Sequence, residues 1–321
     1  MHSNRLGSGT IISAKTSNNV RLNQPKKNAS SVRIVAPYPI THQFKAGGEF
    51  EGKSLLEMMS TKFPFRTENE WRKRINASRV YLENRASNPD TLLTQQDEIR
   101  HHNPAVIEPS VPDEVRIIMD TDDYLAVFKP APMPMHPGGR YFKNTLKTIL
   151  EEKGYPELKI THRLDSVTSG VVLFAKNKAF AKQVMEAFTN GLVVKEYEAT
   201  VFGIPAENKI TIESKIRRKH GFVFESGEAL DSGQLGITKF EVIETSPESN
   251  SSLIRCNPVT GRTHQIRLHL AEWGYPIIDD PIYGPNGDTS SKRTQNVGIS
   301  LTSTKLKIEA LGIELSHSIN P

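Results

Sequence analysis

The spacing of apolar residues between positions 115 and 259 predicts a protein built mainly from strands. Short runs rich in β-branched and aromatic residues are separated by Gly, Pro, Asn and Asp, the residues that favour turns. With helices inserted among these runs, the pattern predicts an α+β fold with a mixed or antiparallel sheet. The predicted strands are VRIIM (115–119), YLAVFK (124–129), GVVLFAK (170–176), EYEATVFG (196–203), KITIES (209–214), ITKFEVIE (237–244) and SLIRCNPV (252–259).

Three further stretches predict helices that pack on this sheet. NTLKTILEEKG is expected to end at Gly154, and the segment 177–191 has an N-cap candidate in Asn177 and a terminating glycine in Gly191. The apolar residues of HQIRLHLAEW alternate as in a strand, but its length and its helix-forming residues favour a helix.

Residues 47–103 predict a small domain of their own. GKSLLEMMSTKF has apolar residues at helical spacing, and TENEWRKRINAS follows it with a capping-box pair, Thr67 and Glu70. RVYLEN then predicts a strand, and LLTQQDEIRHH closes the unit. Two short helices, the second of them basic, followed by strands, resemble the S4-type RNA-binding domain. The alternative is an ordinary helical hairpin with a basic, solvent-exposed face.

The segments on either side of this unit predict less order. Residues 104–114 contain three prolines and predict a linker to a second domain at 115–321. Residues 1–46 predict a disordered basic arm, since the first 48 residues contain seven Lys or Arg and no acidic residue. The rest of the chain then carries 34 basic against 36 acidic residues, so the net charge of +5 comes from the arm. A solvated tail, an electrostatic tether to phosphate backbone and an organellar transit peptide all fit this composition.

Composition restricts the class of protein further. The hydrophobic content of 36% and the charged content of 24% are ordinary for a globular protein, and no apolar run reaches the length of about 18 residues that a membrane span needs. Cys256 is the only cysteine, which excludes disulfides and cysteine-rich metal clusters and predicts a reducing, cytoplasmic location, or a mitochondrial one if the arm is a transit peptide. Neither GxxxxGK[ST] nor GxGxxG occurs, so a nucleotide cofactor has no support.

Two stretches place candidate chemical groups around the second and third predicted strands. FKPAPMPMHPGGRYFKNTL (128–146) is too rich in Pro and Gly for a strand, and Lys129, His136 and Arg140 could contact a phosphate or a base, unless this is an ordinary surface loop. ITHRLDSVTSGVVLFAKN (160–177) has a single acid, Asp165, two residues after Arg163 and just before an apolar strand. An aspartate at such a boundary is usually a local hydrogen-bonding residue.

A third stretch, CNPVTGRTHQIRLHLAEWGYPIIDDPIYG (256–284), concentrates basic side chains. Two arginines and two histidines fall within eight residues, a density typical of anion-binding sites; they are Arg262, His264, Arg267 and His269. The pair Asp279 and Asp280 allows a carboxylate-dependent hydrolase, although DDPIYG reads better as a turn. No set of His and acidic residues has convincing metal-ligand spacing, so no metal site is predicted.

Taken in order, these stretches resemble the RluA-type pseudouridine synthases over residues 47–315. HRLDSVTSGVVLFAKN is similar to the segment around that family's catalytic aspartate, which implies that Asp165 is the nucleophile. KEYEATVFG is similar to the motif whose tyrosine lies against the target base, here Tyr197. NPVTGRTHQIRLHLAEWGYPIIDDPIYG is similar to the motif whose first arginine pairs with the aspartate, which implies an ion pair between Arg262 and Asp165. ISLTSTKL is similar to the closing strand, whose leucine packs against the active site, here Leu301.

The sequence departs from the family pattern at two positions: Thr302 stands where a His is usual, and Asp279 where a Gly is common. Neither position belongs to the implied catalytic trio. The departures therefore bear on substrate contacts more than on activity.

The resemblance implies an enzyme that isomerises specific uridines of structured tRNA or rRNA to pseudouridine, acting as a monomer without membrane, metal or small-molecule cofactor. In an apolar pocket a carboxylate needs a neighbouring cation to remain charged, which the arginine would supply. A stacked uridine must be flipped out to reach it. Arg163 is then expected to fill the vacated space, assisted by His162 and His136. A catalytically inactive RNA-binding protein on the same scaffold is the alternative.

Overall fold

The computed structural model of the chain describes residues 31–290 and 297–317, and within these ranges it has seventeen strands and five α-helices. The helices are α1 (Leu55–Lys62), α2 (Glu68–Asn76), α3 (Leu146–Glu152), α4 (Lys178–Thr189) and α5 (Gln265–Glu272). The strands are β1 (Val32–Arg33), β2 (Tyr38–Lys45), β3 (Val80–Leu82), β4 (Arg85–Ala86), β5 (Glu98–Val106), β6 (Val111–Pro112), β7 (Arg116–Asp120), β8 (Tyr124–Lys129), β9 (Lys159–Ile160), β10 (Ser169–Ala175), β11 (Val193–Phe202), β12 (Lys209–His220), β13 (Val223–Gly227), β14 (Gln234–Ser246), β15 (Ser251–Pro258), β16 (Leu301–Ile308) and β17 (Ile313–Ser316). None of the helices in the described ranges is long and apolar enough to cross a membrane.

A large mixed sheet organises the chain from β7 onward. Its strand order is β13-β12-β14-β15-β11-β16-β10-β8-β7, with β9 paired to β10 and β17 paired to β16. Neighbouring strands are antiparallel, except that β10 and β16 run parallel. All seven strands expected between 115 and 259 are present in it, and the predicted α+β class with a mixed sheet is confirmed.

The parallel pairing of β10 and β16 depends on one glycine. Gly170 has a φ of +122° and lies opposite Ser303, and a Cβ at this position would come within 2.3 Å of the Ser303 carbonyl oxygen. The two strands can therefore approach here only because residue 170 has no side chain. This contact brings the loop before β10, which carries Asp165, next to the start of β16, which carries Leu301.

Helices cover both faces of the sheet around β8 and β10, because apolar side chains on β10 alternate between two clusters. One cluster packs Val172 and Phe174 against α3, and the other packs Val171 and Leu173 against α4. A third cluster joins α5 to β11, β14, β15 and β16. The loop that carries Asp165 packs into two of these clusters, through Leu164 and Val167.

The helix predictions in this part of the chain are confirmed. The Asn177 side chain accepts a hydrogen bond of 2.8 Å from the Phe180 amide and so caps α4. HQIRLHLAEW is helical, since α5 begins at Gln265.

The two predicted N-terminal helices, α1 and α2, pack on a sheet of strand order β2-β5-β3-β4. The capping box of α2 is formed as expected: the Thr67 amide donates to Glu70 Oε2 (2.8 Å) and the Glu70 amide to Thr67 Oγ1 (3.3 Å). The S4-type resemblance and the separate domain at 47–103 stay predictions.

The expected boundary of the basic arm at residue 46 is wrong. Strand β2 lies within the supposed arm, pairs with β5 and alternates between half-buried and exposed side chains. Its polar side chains hide the alternation in the sequence, and the pairing with a distant strand supplies its stability. Residues 1–30 lie outside the described residues.

The segment expected to be a linker, 104–114, is also anchored. Its Glu108 is only 6% exposed and accepts hydrogen bonds from the Tyr38 hydroxyl and from the amides of Lys143 (2.9 Å) and Asn144 (2.8 Å). The three prolines thus belong to a strap between the N-terminal sheet and the loop before α3. The described residues from Ser31 onward form one compact unit.

Candidate active site

Asp165 lies on the loop between β9 and β10, and that loop is held in place on both sides of it. Leu164 and Val167 are 5% and 6% exposed and anchor the loop in two apolar clusters. The carbonyl oxygen of Ser166 accepts hydrogen bonds from the Met133 amide (2.8 Å) and from the Lys129 ammonium group (3.3 Å). The Asp165 side chain itself is 22% exposed. A fixed backbone thus presents a carboxylate that a ligand can still reach.

A buried guanidinium lies beside this carboxylate. Arg267, on α5, has a side chain only 3% exposed, and its Nη1 is 3.6 Å from Asp165 Oδ2. Its Nε and Nη2 donate to the two oxygens of Asp280 at 2.6 and 2.8 Å. One arginine is therefore held by one acid in a bidentate pair and directed at the other.

The expected ion pair between Arg262 and Asp165 is wrong. Arg262 precedes α5, and its Nε donates to the carbonyl oxygen of Leu235 (3.0 Å) and its Nη1 to Gln234 Oε1 (3.2 Å). Its side chain is thus tied to the start of β14. Arg267 occupies the first turn of α5, and this turn faces the loop that carries Asp165.

Mutual attraction keeps both members of the Arg267–Asp280 pair charged despite their burial. Burial disfavours the charged Arg267, but the hydrogen bond and the charge of Asp280 outweigh it and raise the pKa of Arg267. Burial likewise disfavours the ionised Asp280, yet Arg267 and the amides of Ile282 (2.9 Å) and Tyr283 (3.1 Å) lower the pKa of that carboxyl below 3.8. Asp280 is therefore a turn-forming partner of Arg267, as expected for DDPIYG.

The neighbouring Asp279 does not form a paired-carboxylate site with Asp280. Its two oxygens accept hydrogen bonds from the amide and the hydroxyl of Ser300, at 2.7 and 2.8 Å. Because Asp280 is saturated by Arg267, the pair offers no free acid and base to a hydrolase.

His264 is the second group beside Asp165, and its role was not predicted. Its Nε2 is 3.8 Å from Asp165 Oδ2, and its Nδ1 is 2.9 Å from the Tyr283 hydroxyl, which accepts a hydrogen bond of 2.9 Å from the Phe224 amide. If the hydroxyl donates its one proton to Nδ1, the ring proton lies on Nε2 and faces Asp165. Burial lowers the pKa of His264 to about 4, against the opposite effect of Asp165, so the ring is neutral at pH 7. The crowding of basic residues at 262–269 indicated the place but not this contact.

Tyr197 and Leu301 lie on the neighbouring strands β11 and β16 and belong to one apolar cluster, and the roles that the resemblance implies for them stay predictions. Leu301 is 3% exposed, and Tyr197 is half-buried and packs against its cluster. Burial raises the pKa of Tyr197 to about 12; a hydrogen bond with Ser303 opposes this rise, and the nearby Asp165 adds to it. The phenol is therefore protonated at neutral pH. Thr302, which replaces the usual His, forms a hydrogen bond of 2.7 Å with the Ser169 hydroxyl and links β16 to β10.

Three of the basic residues expected to contact RNA are exposed. Arg163 lies on the Asp165 loop, and His136 and Arg140 lie on the loop between β8 and α3. Their side chains are open to solvent, so an RNA strand can contact them.

Lys129 instead lies in the protein interior, contrary to expectation, and the half-buried His162 packs against β10 and α4. The His162 Nε2 accepts a hydrogen bond of 2.9 Å from the Leu173 amide, its ring stacks on Phe188 and burial lowers its pKa to about 4. Lys129 is fully buried, and its ammonium group donates to the carbonyl oxygen of Met133 (2.8 Å) as well as to that of Ser166. Burial lowers the pKa of Lys129 to about 7, and Asp165 opposes this shift. The Lys129 ammonium group is therefore not free to contact a nucleic acid, whereas an RNA contact of His162 stays a prediction.

No group of three or more His, Cys, Asp or Glu in the described ranges is arranged to hold a metal ion.

Comparison with known proteins identifies relatives of this chain. Residues 123–272, which carry Asp165, Tyr197 and Arg267, match the family model described as RNA pseudouridylate synthase. The chain is 31% identical over 258 residues to a rice protein named RNA pseudouridine synthase 7, an alignment that covers 78% of this chain and 65% of the rice protein. It is 27% identical over 253 residues to the mitochondrial tRNA pseudouridine(32) synthase of Saccharomyces cerevisiae, covering 78% of this chain and 55% of that enzyme.

A solved structure shows the same fold. Human RNA pseudouridylate synthase domain containing 1 superposes with a TM-score of 0.55 at 25% identity, covering 66% of this chain and 86% of the human chain. The chain spans 65% of the length of the rice protein and 55% of the length of the yeast enzyme. From its motifs, its fold and these matches, residues 123–272 of the chain form a domain of the RNA pseudouridylate synthase family.

Proposed function

We propose that this protein is an RNA pseudouridine synthase that isomerises uridines in tRNA or rRNA. The observation that carries the proposal is the pinned, partly exposed carboxylate of Asp165, with the buried Arg267 guanidinium 3.6 Å from it. A protein that only binds RNA has no use for an acid at this point, because the carboxylate repels phosphate.

The reaction breaks the N1–C1′ bond of uridine, turns the base and forms a C5–C1′ bond, while the proton on C5 is lost and N1 gains one. Atoms and electrons balance without an oxidant, a reductant or an external group. Asp165 acts as the nucleophile in this sequence, and Arg267 stabilises its negative charge. Asp280 positions Arg267, since its bidentate pair leaves Nη1 directed at Asp165.

The target uridine must leave its stack to reach a carboxylate at the base of a site, at a cost of a few kcal/mol. Arg163 is two residues from Asp165 and exposed, and we assign it to the space that the base vacates. His136 and Arg140 contact the neighbouring backbone from the adjacent loop. The ring of Tyr197 lies against the flipped base, and its protonated phenol is available as a hydrogen-bond donor.

The N-terminal helices offer a second contact for the RNA backbone. Four cations and one acid line a cavity of about 380 Å³ beside α2: Arg66, Glu70, Lys73, Arg74 and Arg79. Burial and the charges of Arg66 and Arg79 lower the pKa of Arg74, so these cations repel one another, and the Arg66 Nε has no hydrogen-bond partner. A phosphate group would relieve this repulsion. Replacing Arg66 and Arg79 with Gln should lower both RNA affinity and its salt dependence, whereas Arg72→Gln, at an exposed arginine of the same helix, should change neither.

The activity is tested by incubating the protein with unmodified tRNA and rRNA, digesting the RNA and separating its nucleosides. Conversion of uridine to pseudouridine at unchanged mass is the expected result, and the responsive pool identifies the substrate class. Tight binding to both pools without any conversion would contradict the proposal and favour an inactive RNA-binding protein.

Mitochondrial action is a separate hypothesis for the acid-free arm, supported by the composition of the arm and by the similarity of the chain to a yeast relative named as mitochondrial. Import of the full chain into isolated mitochondria, dependent on the membrane potential and followed by shortening, is the result it predicts. An unshortened chain that stays outside contradicts it.

A further inference from the structure

The hairpin formed by β12 and β13 carries an exposed aromatic residue among cations. Phe222, at its turn, is 65% exposed, while the next residue, Val223, is 2% exposed. Arg218, Lys219 and His220 precede the turn and are exposed as well. The Phe222 ring is thus offered to solvent, and the four residues before it in the chain (218–221) are three basic side chains and a glycine.

The acidic neighbour Glu225 offsets only part of this charge, because its closer partner is Arg217. Glu225, on β13, is bound by Arg217 at 2.8 Å and lies 3.9 Å from the Lys219 ammonium group. The Arg218 guanidinium lies over the Phe224 ring at 5.2 Å and donates to the Gly221 carbonyl oxygen at 2.9 Å. These contacts fix the shape of the turn and leave its tip cationic.

The start of β13, next to the turn, is connected to the active site. The Phe224 amide donates to the Tyr283 hydroxyl, and the Phe224 ring lies edge-on to His264, with ring centres 5.3 Å apart. His264 in turn is 3.8 Å from Asp165. Phe222 is two residues from Phe224, about 7 Å along a strand. The tip is therefore within reach of the nucleotides next to a uridine bound at Asp165.

Among the described strands of the sheet, β13 is the edge, so no strand covers its outer side. An exposed aromatic ring beside cations suits a single-stranded nucleic acid, in which each nucleotide offers a flat base and a phosphate. A protein partner would call for a wider apolar surface around the ring.

We infer that the tip of this hairpin binds a nucleotide adjacent to the target uridine, with Phe222 stacked on its unpaired base and Arg218 and Lys219 against its phosphates. The inference rests on the proposed function and narrows it, since the substrate must have an unpaired base next to the flipped one. A uridine in a loop or a bulge satisfies this condition, whereas one inside a continuous duplex does not.

The test compares three variants for binding and turnover on the RNA pool that the native protein modifies. Phe222→Ala should raise the Kd about 5- to 150-fold, the factor that corresponds to one base–aromatic stack of 1–3 kcal/mol. Phe222→Trp should restore the affinity, because it keeps an aromatic face. Phe202→Ala, at a 46% exposed phenylalanine on β11, is the matched control and should change the Kd less than twofold.

Phe222→Ala should act on KM and leave kcat at saturating RNA nearly unchanged, because the hairpin does not supply the reacting groups. Lys219→Gln should reduce the slope of log Kd against log salt concentration by about 0.7–0.9. Native affinity in Phe222→Ala, or an equal loss in Phe202→Ala, would overturn the inference while leaving the enzyme active. Failure of the native protein to modify any RNA would instead refute the proposed function, and the direct Kd measurements would still test whether Phe222 contacts RNA.

Discussion

The bidentate pair between Arg267 and Asp280 should dominate both the stability and the geometry of the site, and Asp280→Asn tests this directly. The side chains of Arg267 and Asp280 are 3% and 1% exposed, so the substitution leaves a buried guanidinium without its partner. The new amide also places NH₂ donors where Arg267 needs acceptors. Breaking a buried pair in this way costs about 3–5 kcal/mol. We expect the free energy of unfolding at pH 7 to fall by that amount.

Urea unfolding measures this loss, which should lower the midpoint by about 1–2 M at an unchanged slope. Turnover of the remaining folded enzyme should fall too, because Arg267 is no longer held toward Asp165. Asp279→Asn is the matched control: the Asp279 side chain is exposed and bound to Ser300, so we expect a change below about 1 kcal/mol. Equal losses in the two variants, or a loss below 1 kcal/mol in Asp280→Asn, would refute the reasoning.

Three further outcomes follow from the site and the sheet. Arg267→Lys should lower turnover at least tenfold more than Arg262→Lys, because of these two arginines only Arg267 lies within 4 Å of Asp165. The kcat of each variant on the responsive RNA measures this difference. The pKa of His162 is about 4 in the folded chain and near 6.5 in the unfolded chain, so the unfolded state takes up the proton first as the pH is lowered. The free energy of unfolding therefore decreases as the pH falls from 6.5 to 4. His162→Gln should remove about 2 kcal/mol from the difference in unfolding free energy between pH 7 and pH 5. Gly170→Ala should lower the unfolding free energy by several times more than Gly154→Ala, since both have positive φ but only the first places a Cβ against backbone, and thermal unfolding measures both.

Each of these has a result that would contradict it. Equal kcat values in the two arginine variants would return the pairing role to Arg262. An unchanged pH dependence in His162→Gln would mean that folding does not lower the pKa of the histidine. Equal effects at the two glycines would remove the close approach of β10 and β16 as the reason for a glycine at 170.

Much of the sheet could be predicted because its strands are apolar where they are buried. Leu173 and its neighbours on β10 are apolar on both faces, and helices cover both, so the run has no polar interruption. Strand β2 was missed because its outward residues are polar and its inward ones only half-buried. The anchoring of Glu108 was missed as well, since its partners lie 35 or more residues away along the chain.

The site was predictable as far as local motifs reach. Asp165, Tyr197 and Leu301 each stand in a segment with a recognisable pattern, and the structure brings them to one end of the sheet. The choice between Arg262 and Arg267 depends on where α5 begins and which of its turns faces the Asp165 loop, and spacing along the chain does not reveal this. The contact of His264 likewise depends on its left-handed backbone, with a φ of +58°, just before that helix.

The most direct test of Asp165 as the catalytic group is tritium release from RNA whose uridines are labelled at C5. Isomerisation through C5 must expel this label, whereas binding or hydrolysis leaves it in place. We predict a time-dependent release with the native protein and none with Asp165→Asn, an uncharged variant of nearly the same size that should still bind the RNA. Release by Asp165→Asn at the native rate, or no release by the native protein from RNA that it binds tightly, would contradict the mechanism.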